Sequence, residues 1–357
     1  MKILIPQPLA NDFFLSKIKK IVPEVEIFLL HSGGTLASNR SLSLKYIREF
    51  LLSIRNRYSP KADYHILDES GALYNGRKLD IQIFLHSWMV PHKVYVALLN
   101  ALPNLKWIHT TFSGVEKLLK ADILEHDIIL TNSRGVQSTA MAEFALACML
   151  TMAKQIPDHI HLHKKKVWES LESQEVKGST VGIIGFGNIG KKIAELLLPF
   201  QVNIVASSGK KLKENHPGIK IIPLSQLTQL LTASDYVIIT LPLTSESKNL
   251  IGEAELSLMK EGAYLINISR SEIIDEIALV KALCNGSIAG ACLDAFSNEP
   301  LPKNHIFYKA PNLLLTHHSA YTSHKYWENI IQFFLQNLIR FLEGKPLRNE
   351  VNQQLGY

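Results

Sequence analysis

Short apolar runs alternate with amphipathic stretches along nearly the whole chain. Five runs, at residues 2–5, 26–30, 81–85, 106–110 and 128–131, read as a first series of strands. A polar, Gly/Ser-rich stretch at 31–40 and a helix-like segment at 44–54 interrupt this series, and residues 59–77 read as an insertion. Six further runs, at 180–184, 203–206, 236–240, 263–268, 288–293 and 312–316, form a second series. Helical faces lie between them. Ile189, Ile193, Leu196 and Leu197 make one, ended by Pro199. Leu224, Leu227, Leu230 and Leu231 make another, and Leu279, Val280 and Leu283 a third, closed by Gly286. Strands joined by crossover helices predict α/β architecture with parallel sheets.

A long helix is predicted over 138–154, with Ser138 as its N-cap. It is apolar on almost every side, so it is expected to be buried between domains or subunits. A last helix at 326–342 ends at Gly344-Lys345-Pro346 and is expected to return to the first domain. The predicted domains are therefore 1–136 with 325–357, and 137–324.

A chain of 357 residues suits two domains, and 46% apolar content provides a sizeable core. A wholly disordered chain is excluded. The net charge of +6 raises nucleic acid as a partner. However, the lysines are scattered, and the one dense run, Lys164-Lys165-Lys166, lacks interleaved aromatics. Anionic small ligands fit better, and no nucleic acid partner is expected. Three widely spaced cysteines, Cys148, Cys284 and Cys292, fit a reducing compartment. Pro6 breaks the N-terminal apolar run, which makes a poor signal peptide. No run approaches the about 18 apolar residues of a membrane span, so a cytoplasmic protein without a membrane partner is expected. His159, His161 and His163 alternate, but their segment reads as a helix end or loop, and no metal site is expected.

The strongest chemical signal is Gly185-Phe186-Gly187-Asn188-Ile189-Gly190, which follows an apolar strand and opens an amphipathic helix. That context makes the Gly-x-Gly-x-x-Gly pattern a dinucleotide cradle. Gly185 permits the tight turn, Gly187 lets a pyrophosphate approach, and Gly190 lets helix and strand pack closely. The amides of Asn188 and Ile189 can donate to phosphate oxygens. At the end of the next strand, an NAD site carries an acidic residue for the ribose 2′-hydroxyl. Here that place holds Ser207-Ser208-Gly209-Lys210-Lys211, with no carboxylate until Glu214. Hydroxyls and lysines suit a 2′-phosphate, so NADP(H) is favoured over NAD(H).

Several motifs together resemble the D-isomer-specific 2-hydroxyacid dehydrogenases, most of all the glyoxylate/hydroxypyruvate reductase-like branch. They include Phe112-Ser113-Gly114-Val115, Thr131-Asn132-Ser133-Arg134-Gly135, Asn267-Ile268-Ser269-Arg270, Asp294-Ala295-Phe296-Ser297-Asn298-Glu299-Pro300-Leu301 and Thr316-His317-His318-Ser319. The resemblance implies a Rossmann-type doubly wound parallel sheet plus a smaller flavodoxin-like α/β substrate domain, discontinuous in sequence. It implies hydride transfer between a nicotinamide and a 2-keto or 2-hydroxy acid by the trio Arg270, Glu299 and His318. Those residue types suit the chemistry. A guanidinium can hold a carboxylate and polarise its neighbouring carbonyl. An imidazole can protonate the nascent alkoxide, and a carboxylate beside it favours the imidazolium.

Adjacent residues in extended chain point opposite ways, so only one of His317 and His318 can act, and motif register selects His318. Two departures stand out. His317 occupies a place usually held by proline, and Ser319-Ala320-Tyr321 replaces small residues. The resemblance further assigns the amides of Ser113 and Gly114 to the substrate carboxylate. It puts Pro242, Ser247, Ile268, Arg270, Asp294 and His318 around the nicotinamide, and it implies a homodimer formed through the 138–154 helix. Glu299, where formate dehydrogenases have glutamine, disfavours that branch. The competing reading is a non-enzymatic, corepressor-like nicotinamide-binding module.

Overall fold

The structure is a computed structural model that describes residues 1–6, 9–32, 64–67, 80–87, 89–90, 92–115, 118–119, 128–209 and 216–352. The chain forms two compact units, Met1–Val136 with Trp327–Tyr357, and Gln137–Tyr326.

The first unit holds strands β1 (Lys2–Pro6), β2 (Glu26–Ser32), β3 (Tyr64–Leu67), β4 (Ile83–His86), β5 (Trp107–Thr110) and β6 (Ile129–Asn132) in the order β3-β2-β1-β4-β5-β6. Without β3 this is the 2-1-3-4-5 order of a flavodoxin-like sheet. Both faces are covered, which explains strands that are apolar throughout. Ile3 and Ile5 face α1 (Asp12–Ile21) and α9 (Tyr326–Leu342), packing with Phe14, Ile18, Phe334 and Leu338. Leu4 and Phe84 face the other way, toward Tyr95, Leu98 and Leu99 of α2 (His92–Ala101).

The parallel expectation is corrected at one edge. β3 falls inside the stretch read as an insertion and pairs antiparallel with β2. The helix-like segment at 44–54 lies outside the described residues.

The second unit is a seven-stranded parallel sheet, β7 (Thr180–Ile184), β8 (Asn203–Ser208), β9 (Ile219–Pro223), β10 (Tyr236–Ile239), β11 (Tyr264–Asn267), β12 (Gly290–Leu293) and β13 (Leu313–Leu315), ordered β13-β12-β11-β10-β7-β8-β9. Strand β9 is an addition to the six predicted; only Ile222 of it is buried, so its apolar signal is thin. The order reverses between β7 and β10, which is the switch point where such sheets bind ligands. Ile184, Val237, Ile239 and Leu265 face α6 (Leu227–Ala233), α7 (Glu253–Leu258) and α8 (Glu276–Cys284). Val181, Ile183, Ile238 and Ile266 face α3 (Ser138–Ala153) and α5 (Asn188–Leu197).

Two expectations about the 138–154 helix change, and one about the segment that follows it. Gln137, not Ser138, is the N-cap of α3, and the Ser138 hydroxyl is buried without a partner. Ala142, Ala145, Cys148, Met149 and Ala153 belong to the core of the second unit itself, so the methionine-rich face is internal packing. After α3 a separate helix, α4 (Ile156–Lys165), carries His159, His161 and His163. On a helix, residues two apart do not share a face, and no His/Cys/Asp/Glu cluster able to hold a metal occurs among the described residues. The described helices also include none long and apolar enough to cross a membrane.

Candidate active site

Parallel strands deliver their following loops to one edge of the sheet, and the candidate residues of the second unit gather there. Arg270 follows β11, Glu299 follows β12 and His318 follows β13; these are three neighbouring strands. Gly185 follows β7, Ser207 is the penultimate residue of β8, and Pro242 follows β10.

The loop after β11 is fixed by Asn267. Its Oδ1 accepts from the Ser269 amide and hydroxyl at 3.0 and 2.7 Å, and its Nδ2 donates to the Arg270 carbonyl at 2.8 Å. The loop after β12 closes on itself, because the Phe296 amide donates to Glu299 Oε1 at 3.0 Å. The loop after β13 places His318 in the left-handed region, at φ 50°, a conformation that the surroundings must hold. Asp294 holds it. This buried carboxylate accepts from Thr316 Oγ1 at 2.7 Å and from the amides of Ser319 and Ala320, both at 2.9 Å.

His318 then meets Glu299. Its Nδ1 lies 2.9 Å from both carboxylate oxygens. An imidazole nitrogen facing a carboxylate is the protonated one, so Nε2 is the atom left to exchange a proton. Nε2 makes no hydrogen bond among the described residues. His317 is exposed and takes no part in this pair. Tyr321 stands edge-on to the His318 ring, with centroids 5.9 Å apart. Burial alone pushes the Glu299 carboxyl up. The hydrogen bonds from His318 and the Phe296 amide, with the charges of His318 and Arg270, outweigh it and hold the group below the usual carboxylate range.

The glycine loop fits a dinucleotide. Gly185 sits at φ 104°, a conformation that favours glycine. A Cβ on Gly190 would lie 2.2 Å from the Gly185 carbonyl oxygen, whereas one on Gly187 would meet nothing within 4 Å. The space above Gly187, at the N-terminus of α5, is what a pyrophosphate needs. Ser207 carries a fully buried hydroxyl with no partner, an orphan at the place where the ribose of a dinucleotide ends. Ser208 is half-buried, and Lys210 and Lys211 lie outside the described residues.

Two nicotinamide candidates turn inward. Ser247 is buried, donates to the Pro242 carbonyl at 2.7 Å and accepts from the Thr244 amide at 2.8 Å. It knots the loop that displays the exposed Pro242. Ile268 is buried in the core. Two residues carry supporting roles that the sequence motifs do not spell out. Asn267 is one. Thr240 is the other, its Oγ1 donating to the Gly185 carbonyl at 2.6 Å. The sequence signal for both is a short polar side chain closing an apolar strand.

In the first unit, Ser113 is exposed and Gly114 half-exposed in the loop after β5. The amides of Ser113, Gly114 and Val115 make no hydrogen bond among the described residues.

A seven-stranded dinucleotide sheet with this dyad at its carboxyl edge defines a nicotinamide-dependent oxidoreductase. Comparison with known proteins specifies it further. The family model for the D-isomer specific 2-hydroxyacid dehydrogenase NAD binding domain matches residues 146–320. The glyoxylate reductase of Thermofilum pendens is 34% identical over 273 residues, covering 75% of this chain and 80% of that protein. The glyoxylate reductase of Aeropyrum pernix is 34% identical over 267 residues, covering 72% and 79%. Among solved structures, a D-isomer specific 2-hydroxyacid dehydrogenase family protein from Aeromonas salmonicida superposes with a TM-score of 0.75 at 26% identity, covering 99% of both chains. One from Xanthobacter autotrophicus, solved with NADPH and MES, has a TM-score of 0.75 at 24% identity, covering 100% and 99%. The chain belongs to the D-isomer-specific 2-hydroxyacid dehydrogenase family and is an NAD(P)-dependent oxidoreductase.

Proposed function

We propose that the protein reduces small 2-keto acids to D-2-hydroxy acids, with glyoxylate and hydroxypyruvate as the leading substrates and NADPH as the preferred coenzyme. The observation that carries this reading is the His318–Glu299 pair beside Arg270 on three adjacent strand ends. The naming of similar chains as glyoxylate reductases supports the substrate class.

In this reading the Arg270 guanidinium holds the substrate carboxylate and polarises the C2 carbonyl. Bound reduced coenzyme supplies the hydride. As C2 is reduced its oxygen becomes an alkoxide, and His318 Nε2 delivers the proton. Glu299 keeps Nδ1–H in place, which leaves Nε2 facing the substrate oxygen. Gly185, Gly187, Asn188, Ile189 and Gly190 seat the pyrophosphate, and Pro242 borders the nicotinamide. Asp294 has one acceptor position left on Oδ2 for the nicotinamide carboxamide. The amides of Ser113 and Gly114 are the first unit's seat for a carboxylate.

The NADPH preference rests on the orphaned Ser207 hydroxyl, on Ser208, Lys210 and Lys211, and on the lack of a nearby acid. The first unit is then the substrate domain and the second the coenzyme domain. A homodimer is proposed, with the contact moved from α3 to α4 and the segment beyond it. There Ile156, Ile160, Val167 and the fully exposed Trp168 offer an apolar face to a second copy. The sparse cysteines favour a cytoplasmic setting.

The test is spectrophotometric turnover of glyoxylate, hydroxypyruvate, pyruvate and bulkier 2-oxo acids with each reduced coenzyme. Arg270→Ala and His318→Ala should each lower kcat by roughly 10²–10⁴. Unchanged turnover in either variant refutes its role. A clear NADH preference refutes the coenzyme assignment, and a monomer in light scattering refutes the dimer.

A further inference from the structure

Two carbonyls of the loop after β5, those of Phe112 and Ser113, are tied down, whereas the amides of Ser113 and Gly114 are not. Thr110 Oγ1 donates to the Phe112 carbonyl at 2.7 Å, and the Ser133 amide donates to the same oxygen at 3.3 Å. The Asn132 side-chain amide donates to the Ser113 carbonyl at 2.9 Å. A peptide unit whose C=O is held inward turns the following N–H outward. Fixing the Phe112 and Ser113 carbonyls therefore fixes the directions of the Ser113 and Gly114 amides.

Asn132 is itself anchored on every side. It is 2% exposed. Its Oδ1 accepts from the Arg134 amide at 3.1 Å, and its own amide donates to the Asn349 carbonyl at 3.1 Å. Asn349 Nδ2 returns a bond to the Asn132 carbonyl at 3.2 Å. The side chain that holds the Ser113 carbonyl thus has little freedom to follow if the loop shifts.

We propose that Asn132 is a positioning residue for substrate carboxylate recognition, acting by locking the Ser113 carbonyl so that the Gly114 amide stays aimed at an anion. This rests on the keto-acid reading above. Asn132 acts on affinity for the carboxylate and not on proton delivery, because it holds the first unit's anion loop and belongs to no part of the Arg270, Glu299 and His318 constellation. Loss of one oriented donor to a charged acceptor predicts a rise of about tenfold in KM for glyoxylate.

The experiment compares Asn132→Ala and the smaller polar variant Asn132→Ser with the wild type, on glyoxylate and on the uncharged aldehyde glycolaldehyde. In the alanine variant the preference for glyoxylate over glycolaldehyde, as a ratio of kcat/KM values, should fall by about tenfold, with NADPH affinity unchanged. Serine, which keeps a short donor, should recover part of it. Equal losses on both aldehydes, or no loss on either, overturn the proposal. A second measurement is independent of turnover. The Gly114 amide resonance of ¹⁵N-glycine-labelled protein should shift when oxalate is added to the NADP⁺ complex of the wild type and shift far less in the alanine variant. Equal shifts overturn the proposal. An intact Gly114 response in a wild type that turns over no keto acid would instead fault the proposed reaction.

Discussion

Lowering the pH should weaken the first unit through one buried histidine. His109 is fully buried and neutral, with its pKa lowered to about 3 by burial. Its bonding explains the neutrality. Trp107 Nε1 donates to Thr131 Oγ1 at 2.8 Å, leaving that hydroxyl to donate to His109 Nδ1 at 2.7 Å. Ser133 donates its own hydrogen to the Thr110 carbonyl at 2.8 Å, so its oxygen accepts from His109 Nε2 at 3.2 Å. A second ring proton on Nδ1 would face a hydroxyl already oriented to give. Unfolded, the imidazole titrates near 6.5. The folded value lies below the unfolded one for a base. Stability is therefore complete above about pH 6.5 and lost as pH falls toward about 3, because only the unfolded chain takes the proton. At about 1.4 kcal/mol per pH unit, acidification from about pH 7 to about pH 5 removes about 2 kcal/mol through His109. The assay is urea unfolding of the wild type and His109→Gln at those two pH values. Glutamine is less stable at neutral pH, but its acid loss should be smaller by about 2 kcal/mol. Equal losses in both proteins, or a His109 ring signal titrating above about pH 5 in the folded wild type, would refute the reasoning.

Other predictions concern the second unit. Gly187→Ala meets open space, so its Tm should match the wild type while the Kd for NADPH rises by about tenfold or more; Gly190→Ala, forced against the Gly185 carbonyl, should lower Tm as well. Ser207→Ala removes a buried hydroxyl that has no partner in the free protein, so thermal stability should not fall although NADPH binding weakens in titration calorimetry. Glu299 is held below the ordinary carboxylate range, so its contribution is present above the unfolded value near 4.3 and is lost as pH falls through the folded one. His318→Ala leaves burial as the main influence, so the Glu299 carboxyl should titrate higher by ¹³C NMR, and Tm should fall less steeply on acidification below about pH 4.

The second unit was largely legible because its strands are buried on both faces and read as unbroken apolar runs. Strand 180–184 followed by glycines has few alternative structures. β9 escaped because Ile219 and Ile221 are only half-buried and its run passes directly into Leu224. α4 escaped because it buries no residue, so no apolar stripe announces it. β3 is four residues long and antiparallel, too short for its alternation to count. The reactive residues and their supports were both readable as motif letters, but the contacts between them were not. Asp294 reaches Ser319 and Ala320 across 25 and 26 residues, and Asn132 reaches Ser113 across 19. Such pairings exist only after the strands are set side by side. Ser138 was misread as a cap because a hydroxyl before an apolar run signals a helix start without saying whether it lies outside the first turn or in it.

The grip of Asp294 reaches further than its own loop. Its amide donates to the Asn267 carbonyl at 3.0 Å, and the Asn267 side chain holds the Arg270 carbonyl. The guanidinium and the imidazole are therefore mounted on a common bracket of two short polar residues, and heat should jostle them together more than apart. Weakening that bracket would spread the reacting groups over many relative poses without removing any of them, so the loss would appear as a broader, slower catalyst whose ingredients are all still present.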